Sequence, residues 1–128
     1  MSPLQILIVD DDEGVRSLLR TTLPMEEYEV VEAVDGDQAL ALLNEGVPDL
    51  VLLDWKMPGR HGSLVLDELK SRHPQLPVIV LTAEIAEHHR TLAEALKVDV
   101  FLTKPFSPLG LLETIERLLS ERSVDETP

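Results

Sequence analysis

Residues 50–62 read Leu50-Val51-Leu52-Leu53-Asp54-Trp55-Lys56-Met57-Pro58-Gly59-Arg60-His61-Gly62, a short aliphatic run that ends abruptly in an acid. Four apolar residues are too few for a helix, and a run with no polar alternation is buried on both faces, as in a parallel sheet. Met57-Pro58-Gly59 then supplies a turn. Three more runs repeat the pattern: Ile6–Val9, Val78–Leu81 and Val100–Leu102. A fifth, Glu29–Ala33, carries charge around Val30 and Val31, and Asp99 stands directly before Val100. Charges on or beside a strand suit a sheet edge, so these two strands are expected to flank the other three.

Helical periodicity fills the gaps. Val15, Leu18, Leu19 and Thr22 form one stripe behind Asp12 as N-cap, and Ala39, Leu40 and Leu43 form a second, closed by Gly46. Val65, Leu66 and Leu69 make a third, which ends before Pro74, and His89, Leu92, Ala93 and Leu96 a fourth. The fifth comprises Leu111, Leu112, Ile115, Leu118 and Leu119, with Ser107 as N-cap and Pro108 at the first helical position. Five strand-then-helix units predict an α/β fold, a doubly wound parallel sheet covered by helices on both faces, with its working site at the carboxyl ends of the strands.

Composition narrows the function. The 128 residues make one domain, predicted over 1–120, followed by a polar tail or the start of a linker over 121–128. The chain then reads as a stand-alone regulator or as the front of a longer protein. With no cysteine, thiol chemistry and Cys-based metal sites are excluded. A formal charge of −13 disfavours direct contact with nucleic acid or anionic membranes. Neither a signal peptide nor a membrane span fits the sequence, so a cytoplasmic location is expected.

The strand exits carry the chemistry. They are Asp10-Asp11-Asp12, Asp54-Trp55-Lys56, Thr82-Ala83-Glu84 and Thr103-Lys104-Pro105. Asp10, Asp11 and Asp54 would leave adjacent strands into one cleft. Two carboxylates ~5 Å apart at an effective dielectric of ~20 repel by about 3 kcal/mol, so three call for a cation. Oxygen donors without His or Cys favour a hard ion, magnesium above all. With the Thr82 hydroxyl and the Lys104 ammonium nearby, the set becomes a phosphoryl-binding constellation in which a carboxylate attacks.

These residues carry a resemblance. Asp10-Asp11, Asp54 in the quoted stretch with Gly62 four residues after Pro58, Thr82 in the run from Val78 to Glu84, and Lys104-Pro105-Phe106 together resemble the receiver domain of bacterial two-component response regulators, over about residues 4–120. The resemblance implies a flavodoxin-like (βα)5 fold with five helices and strand order 2-1-3-4-5. It implies that Asp54 accepts a phosphoryl group from the phosphohistidine of a sensor histidine kinase or phosphotransfer protein. Magnesium would be held by Asp11, Asp54 and the main-chain carbonyl of Lys56, with Asp10 acting mainly through water. Thr82 and Lys104 would grip the phosphoryl oxygens, Phe101 would switch rotamer with Thr82, and the Lys104–Pro105 bond would be cis. A domain of this kind catalyses its own phosphorylation and dephosphorylation, and signals to an effector, or self-associates, through the face of its fourth helix, fifth strand and fifth helix.

Two positions depart from the family pattern. Lys97-Val98 stands where relatives have Gly-Ala, which removes a left-handed glycine cap, and Phe101 replaces a frequent Tyr, which removes a ring hydroxyl. Lys56 and Glu84 occupy the pocket-mouth positions that tune water access to the acyl phosphate; neither is suited to hold a water in line, so a long-lived phosphoryl state suited to relay is expected. Lys56 also stands where an aspartate-nucleophile phosphohydrolase needs a second Asp. A flavin-binding fold would need a Ser/Thr phosphate loop after the first strand, which is absent. The remaining alternative is a receiver-like scaffold without phosphoryl turnover. His61, His73, His88 and His89 read as surface or turn residues, and Trp55 as either a partner contact or a partly packed side chain.

Overall fold

A computed structural model of the chain describes residues 3–55, 62–82, 99–103 and 106–125. Its elements run β1 (Leu4–Val9), α1 (Glu13–Thr22), β2 (Tyr28–Ala33), α2 (Gly36–Glu45), β3 (Leu50–Asp54), α3 (Gly62–Arg72), β4 (Val78–Thr82), β5 (Val100–Thr103) and α4 (Pro108–Asp125). All strand pairs are parallel and the sheet order is β2-β1-β3-β4-β5. The two charged strands are therefore the edges, as their sequences predict. Every residue of β3 and β4 is buried, whereas β5 is only partly so.

Uninterrupted aliphatic strands give the sheet two cores, because successive side chains point to opposite faces. Leu7, Val9, Val51, Leu53, Val78 and Val80 pack with Ala39 and Leu43 of α2 and with Val65, Leu66 and Leu69 of α3. Ile6, Ile8, Leu50, Leu52, Ile79 and Leu81 pack with Leu19 and Leu23 at α1 and with Leu111, Ile115, Leu118 and Leu119 of α4. Local chemistry sets the helix starts. The Asp12 carboxylate accepts from the amides of Gly14 and Val15, that of Asp35 from the Gln38 amide, and the Ser107 hydroxyl from the Gly110 amide.

Three features differ from the sequence expectations. The buried residues of α1 are Arg16 and Leu19, continued by Leu23 at its C-cap, and Leu18 is 47 % exposed, because the helix is rolled to bring the Arg16 guanidinium onto acceptors in β2 and in the turn after β1. The last helix runs on to Asp125, through most of the stretch assigned to a polar tail. Asp99, which the sequence marks only as an edge charge, is a clamp. Its amide donates to the Val78 carbonyl and its carboxylate accepts from the Val78 amide and from Lys70 Nζ, at 2.8 and 2.9 Å. Asp49 repeats the device ahead of β3, two strands over, exchanging the same two bonds with Gln5 of β1. The helix expected around His89–Leu96 lies outside the described residues.

Removing the Asp99 carboxylate strands a strand-entry amide and takes the counter-charge from the mostly buried Lys70 ammonium, which keeps its 2.7 Å bond to the Leu76 carbonyl. Asp99→Ala is expected to lower the unfolding free energy by about 2 kcal/mol in a urea melt, with Asp99→Asn losing less because it keeps an acceptor. An unchanged midpoint in Asp99→Ala would show that the clamp carries no stability.

Candidate functional site

The site is a consequence of strand register. Val9 pairs with Leu53, so Asp10 follows β1 beside Asp54 at the end of β3, and Asp54 in turn pairs with Leu81 of β4. The Asp10 amide continues the ladder to the Ala33 carbonyl of β2. Carboxylate oxygens of Asp10, Asp11 and Asp54 all lie within 4.8 Å of one another. Asp10 and Asp54 are 1 % and 6 % exposed, while Asp11 faces solvent. The three acids that the sequence groups are thus grouped in space.

The turn that carries the first two is fastened at several points. Asp10 Oδ1 accepts from the Asp12 amide at 2.9 Å, and Asp12 caps α1, so the acidic triplet divides into two residues with structural bonds and one exposed carboxylate between them. Arg16 Nη1 donates to the Asp10 main-chain carbonyl at 2.7 Å. Sequence periodicity missed Arg16. The available signal was a cation on the helix face shared with Leu19 and Leu23, where an unpaired charge would not be tolerated.

Behind Asp54, Trp55 is fully buried, which departs from both readings of it, as a partner contact and as a partly packed side chain. Its ring meets Phe101 of β5 edge to face, with centroids 5.9 Å apart and planes at 64°. Phe101 is half-buried against the core on that side of the sheet. Thr82 ends β4 one step beyond Leu81, the register partner of Asp54, and is 1 % exposed. Lys56, Glu84, Lys104 and Pro105 lie outside the described residues. The donor set fits a hard divalent cation: three convergent carboxylates, two of them buried, and, among the described residues, no nitrogen or sulfur ligand in the cluster.

Comparison with known proteins decides the family. The model of the response regulator receiver domain matches residues 6–116. The chain belongs to this family. It is 47 % identical over 115 residues to the transcriptional regulatory protein CpxR of Klebsiella pneumoniae, covering 90 % of this chain and 49 % of CpxR. It is 40 % identical over 126 residues to the response regulator MprA of a Mycobacterium species, covering 98 % of this chain and 55 % of MprA. The chain spans about half the length of the curated relatives it matches. A receiver domain protein from Methanospirillum hungatei, described as CheY-like, superposes with a TM-score of 0.92 at 29 % identity, over 97 % of this chain and 99 % of that one.

One glycine of this receiver domain is fixed by its neighbours. At Gly62 a Cβ would lie 2.7 Å from the Trp55 carbonyl oxygen and 2.8 Å from that of Asp54, and the Gly62 amide donates to the same Trp55 carbonyl at 3.0 Å. The start of α3 therefore rests on the backbone of Asp54 and Trp55, an approach that only a residue without a side chain permits. Gly62→Ala is expected to destabilise the domain by about 1–3 kcal/mol, measured by denaturant unfolding, because backbone has to move to admit the methyl group. Wild-type stability in this variant would refute the close approach.

Proposed function

We propose that this receiver domain is a phosphoacceptor switch in which Asp54 takes a phosphoryl group from the phosphohistidine of a sensor histidine kinase or phosphotransfer protein. The observation that carries this reading is the convergence of Asp10, Asp11 and Asp54 at the carboxyl ends of two central strands, within 4.8 Å, in a chain of this family. In the transfer, a carboxylate oxygen of Asp54 forms a bond to phosphorus as the phosphorus–nitrogen bond breaks, and the electron pair leaves with the imidazole. Asp11 and Asp54, with the Lys56 carbonyl, would hold magnesium, and Asp10 would act mainly through water. Bound there, the ion supplies charge neutralisation for the phosphoryl oxygens. Thr82, at the end of the neighbouring strand, and Lys104 are assigned to those same oxygens.

The packing supports a route from acceptor to surface. Trp55 follows Asp54 directly and touches Phe101, so a change at the acceptor reaches β5 through packed rings rather than solvent. A charge added at Asp54, with Thr82 drawn toward it, would bias the position of Phe101 and so the face around β5 and α4 that an effector or a second copy reads. The expectation of a slowly hydrolysed phosphoryl group rests on Lys56 and Glu84. Among the described residues no helix is long and apolar enough to cross a membrane.

Incubation with acetyl phosphate and magnesium is expected to add one phosphoryl group to the wild type and none to Asp54→Asn, read by intact mass. Equal incorporation in Asp54→Asn, with the label on another residue, would overturn the assignment.

A further inference from the structure

Arg16 is the only cation among the described buried polar and charged residues, at 9 % exposure, and it sits beside the acid cluster. A guanidinium withdrawn from water needs its donors satisfied, and here three different elements satisfy them. Nη1 donates to the Asp10 carbonyl at 2.7 Å, Nε to Glu32 Oε1 of β2 at 3.0 Å, and Nη2 to the Glu13 carboxylate at the start of α1. Arg20, one turn further along α1, reaches the same two glutamates, with Nη1 2.6 Å from Glu32 Oε1 and Nη2 3.4 Å from Glu13 Oε1, and its bonds stop there.

We propose that Arg16 is a positioning residue for the acid cluster: held from behind by Glu13 and Glu32, it fixes the Asp10 carbonyl and with it the turn that carries Asp10 and Asp11. This rests on the reading of the cluster as the metal and phosphoryl site. The planar fork of arginine is what the role requires. An ammonium donates from a single atom and cannot span the separate positions of Nε, Nη1 and Nη2 at which the three acceptors are met, so lysine keeps the charge and loses the brace. Partners standing behind metal-binding groups commonly control affinity by 10-fold to 100-fold. Geometry and charge also predict opposite signs. Deleting a cation near an anionic site deepens its negative potential and tightens metal binding, whereas loosening the turn weakens it.

Calorimetric titration of magnesium into metal-free wild type, Arg16→Lys, Arg20→Ala, Glu32→Ala and Glu32→Gln tests the assignment, with metal-free melting as the check on folding. Arg16→Lys is expected to bind magnesium at least about 10-fold more weakly. Arg20→Ala, which removes a charge from the same glutamates without touching the Asp10 carbonyl, is expected to stay within about 2-fold of the wild type. If Arg16→Lys fails to fold, Glu32→Ala against Glu32→Gln decides, since both delete the same charge but only the alanine removes an acceptor of Arg16. Glu32→Ala is then expected to bind more weakly than Glu32→Gln, and equal losses in the two would overturn the role. Wild-type affinity in both Arg16→Lys and Glu32→Ala, or equal losses in Arg16→Lys and Arg20→Ala, would overturn the positioning role. A wild type that takes up no magnesium would instead remove the reading of the cluster on which the role rests.

Discussion

Mutual repulsion among Asp10, Asp11 and Asp54 is the constraint around which the rest of this domain is arranged. At the observed spacing, within 4.8 Å, each charged pair costs about 3 kcal/mol at an effective dielectric of ~20. An unfolded chain separates Asp54 from the adjacent Asp10 and Asp11, so the fold has to hold it beside them against that cost. It does so by anchoring the two buried acids in the sheet. Asp54 is the last residue of a strand buried along its whole length. Asp10 is tied through its amide to β2, through its carbonyl to Arg16 and through its carboxylate to the Asp12 amide. The result is a preorganised anionic pocket that a bound cation would relieve.

The sheet supplies the rigidity. Two cores of branched side chains grip β1, β3 and β4 from both sides, so the carboxyl ends of those strands are the fixed points of the molecule. The opposite end is closed by Asp49 and Asp99, each exchanging two hydrogen bonds with the start of the neighbouring strand. Acids thus serve two purposes at the two ends of one sheet. Those at the amino ends face backbone amides and hold register, while those at the carboxyl ends face one another and are available for chemistry. Between acceptor and edge strand, the Trp55–Phe101 contact is one packed step, which suits a switch that has to report a local charge change at β5.

Much of this was legible in the sequence, for identifiable reasons. Aliphatic runs without alternation revealed central parallel strands, charged flanks picked out the edges, and the acids stood at the strand ends where doubly wound folds place their sites. Caps at Asp12 and Ser107 were readable because side chains bonding their own helix starts are local. What escaped depended on partners distant in sequence. Arg16 escaped notice because its acceptors outside α1 come from the turn after β1 and from β2, and Leu18 looked buried because the roll of α1 answers to Arg16. Asp99 gave only its charge, not the Val78 amide and Lys70 it would meet. Trp55 was ambiguous because its cover comes from β5. The expected roles of Lys56, Glu84, Lys104 and Pro105 rest on family resemblance, and these residues lie outside the described part of the chain.

Thermal unfolding with and without magnesium, in the wild type and in Asp11→Ala, tests the central claim most directly. If repulsion among the three acids is what a cation relieves, magnesium at ~100 times its dissociation constant stabilises the wild type by about 2.7 kcal/mol. Asp11→Ala then melts at or above the metal-free wild type and gains nothing from the ion. A wild type indifferent to magnesium, or an Asp11→Ala variant that keeps the full response, would contradict the account.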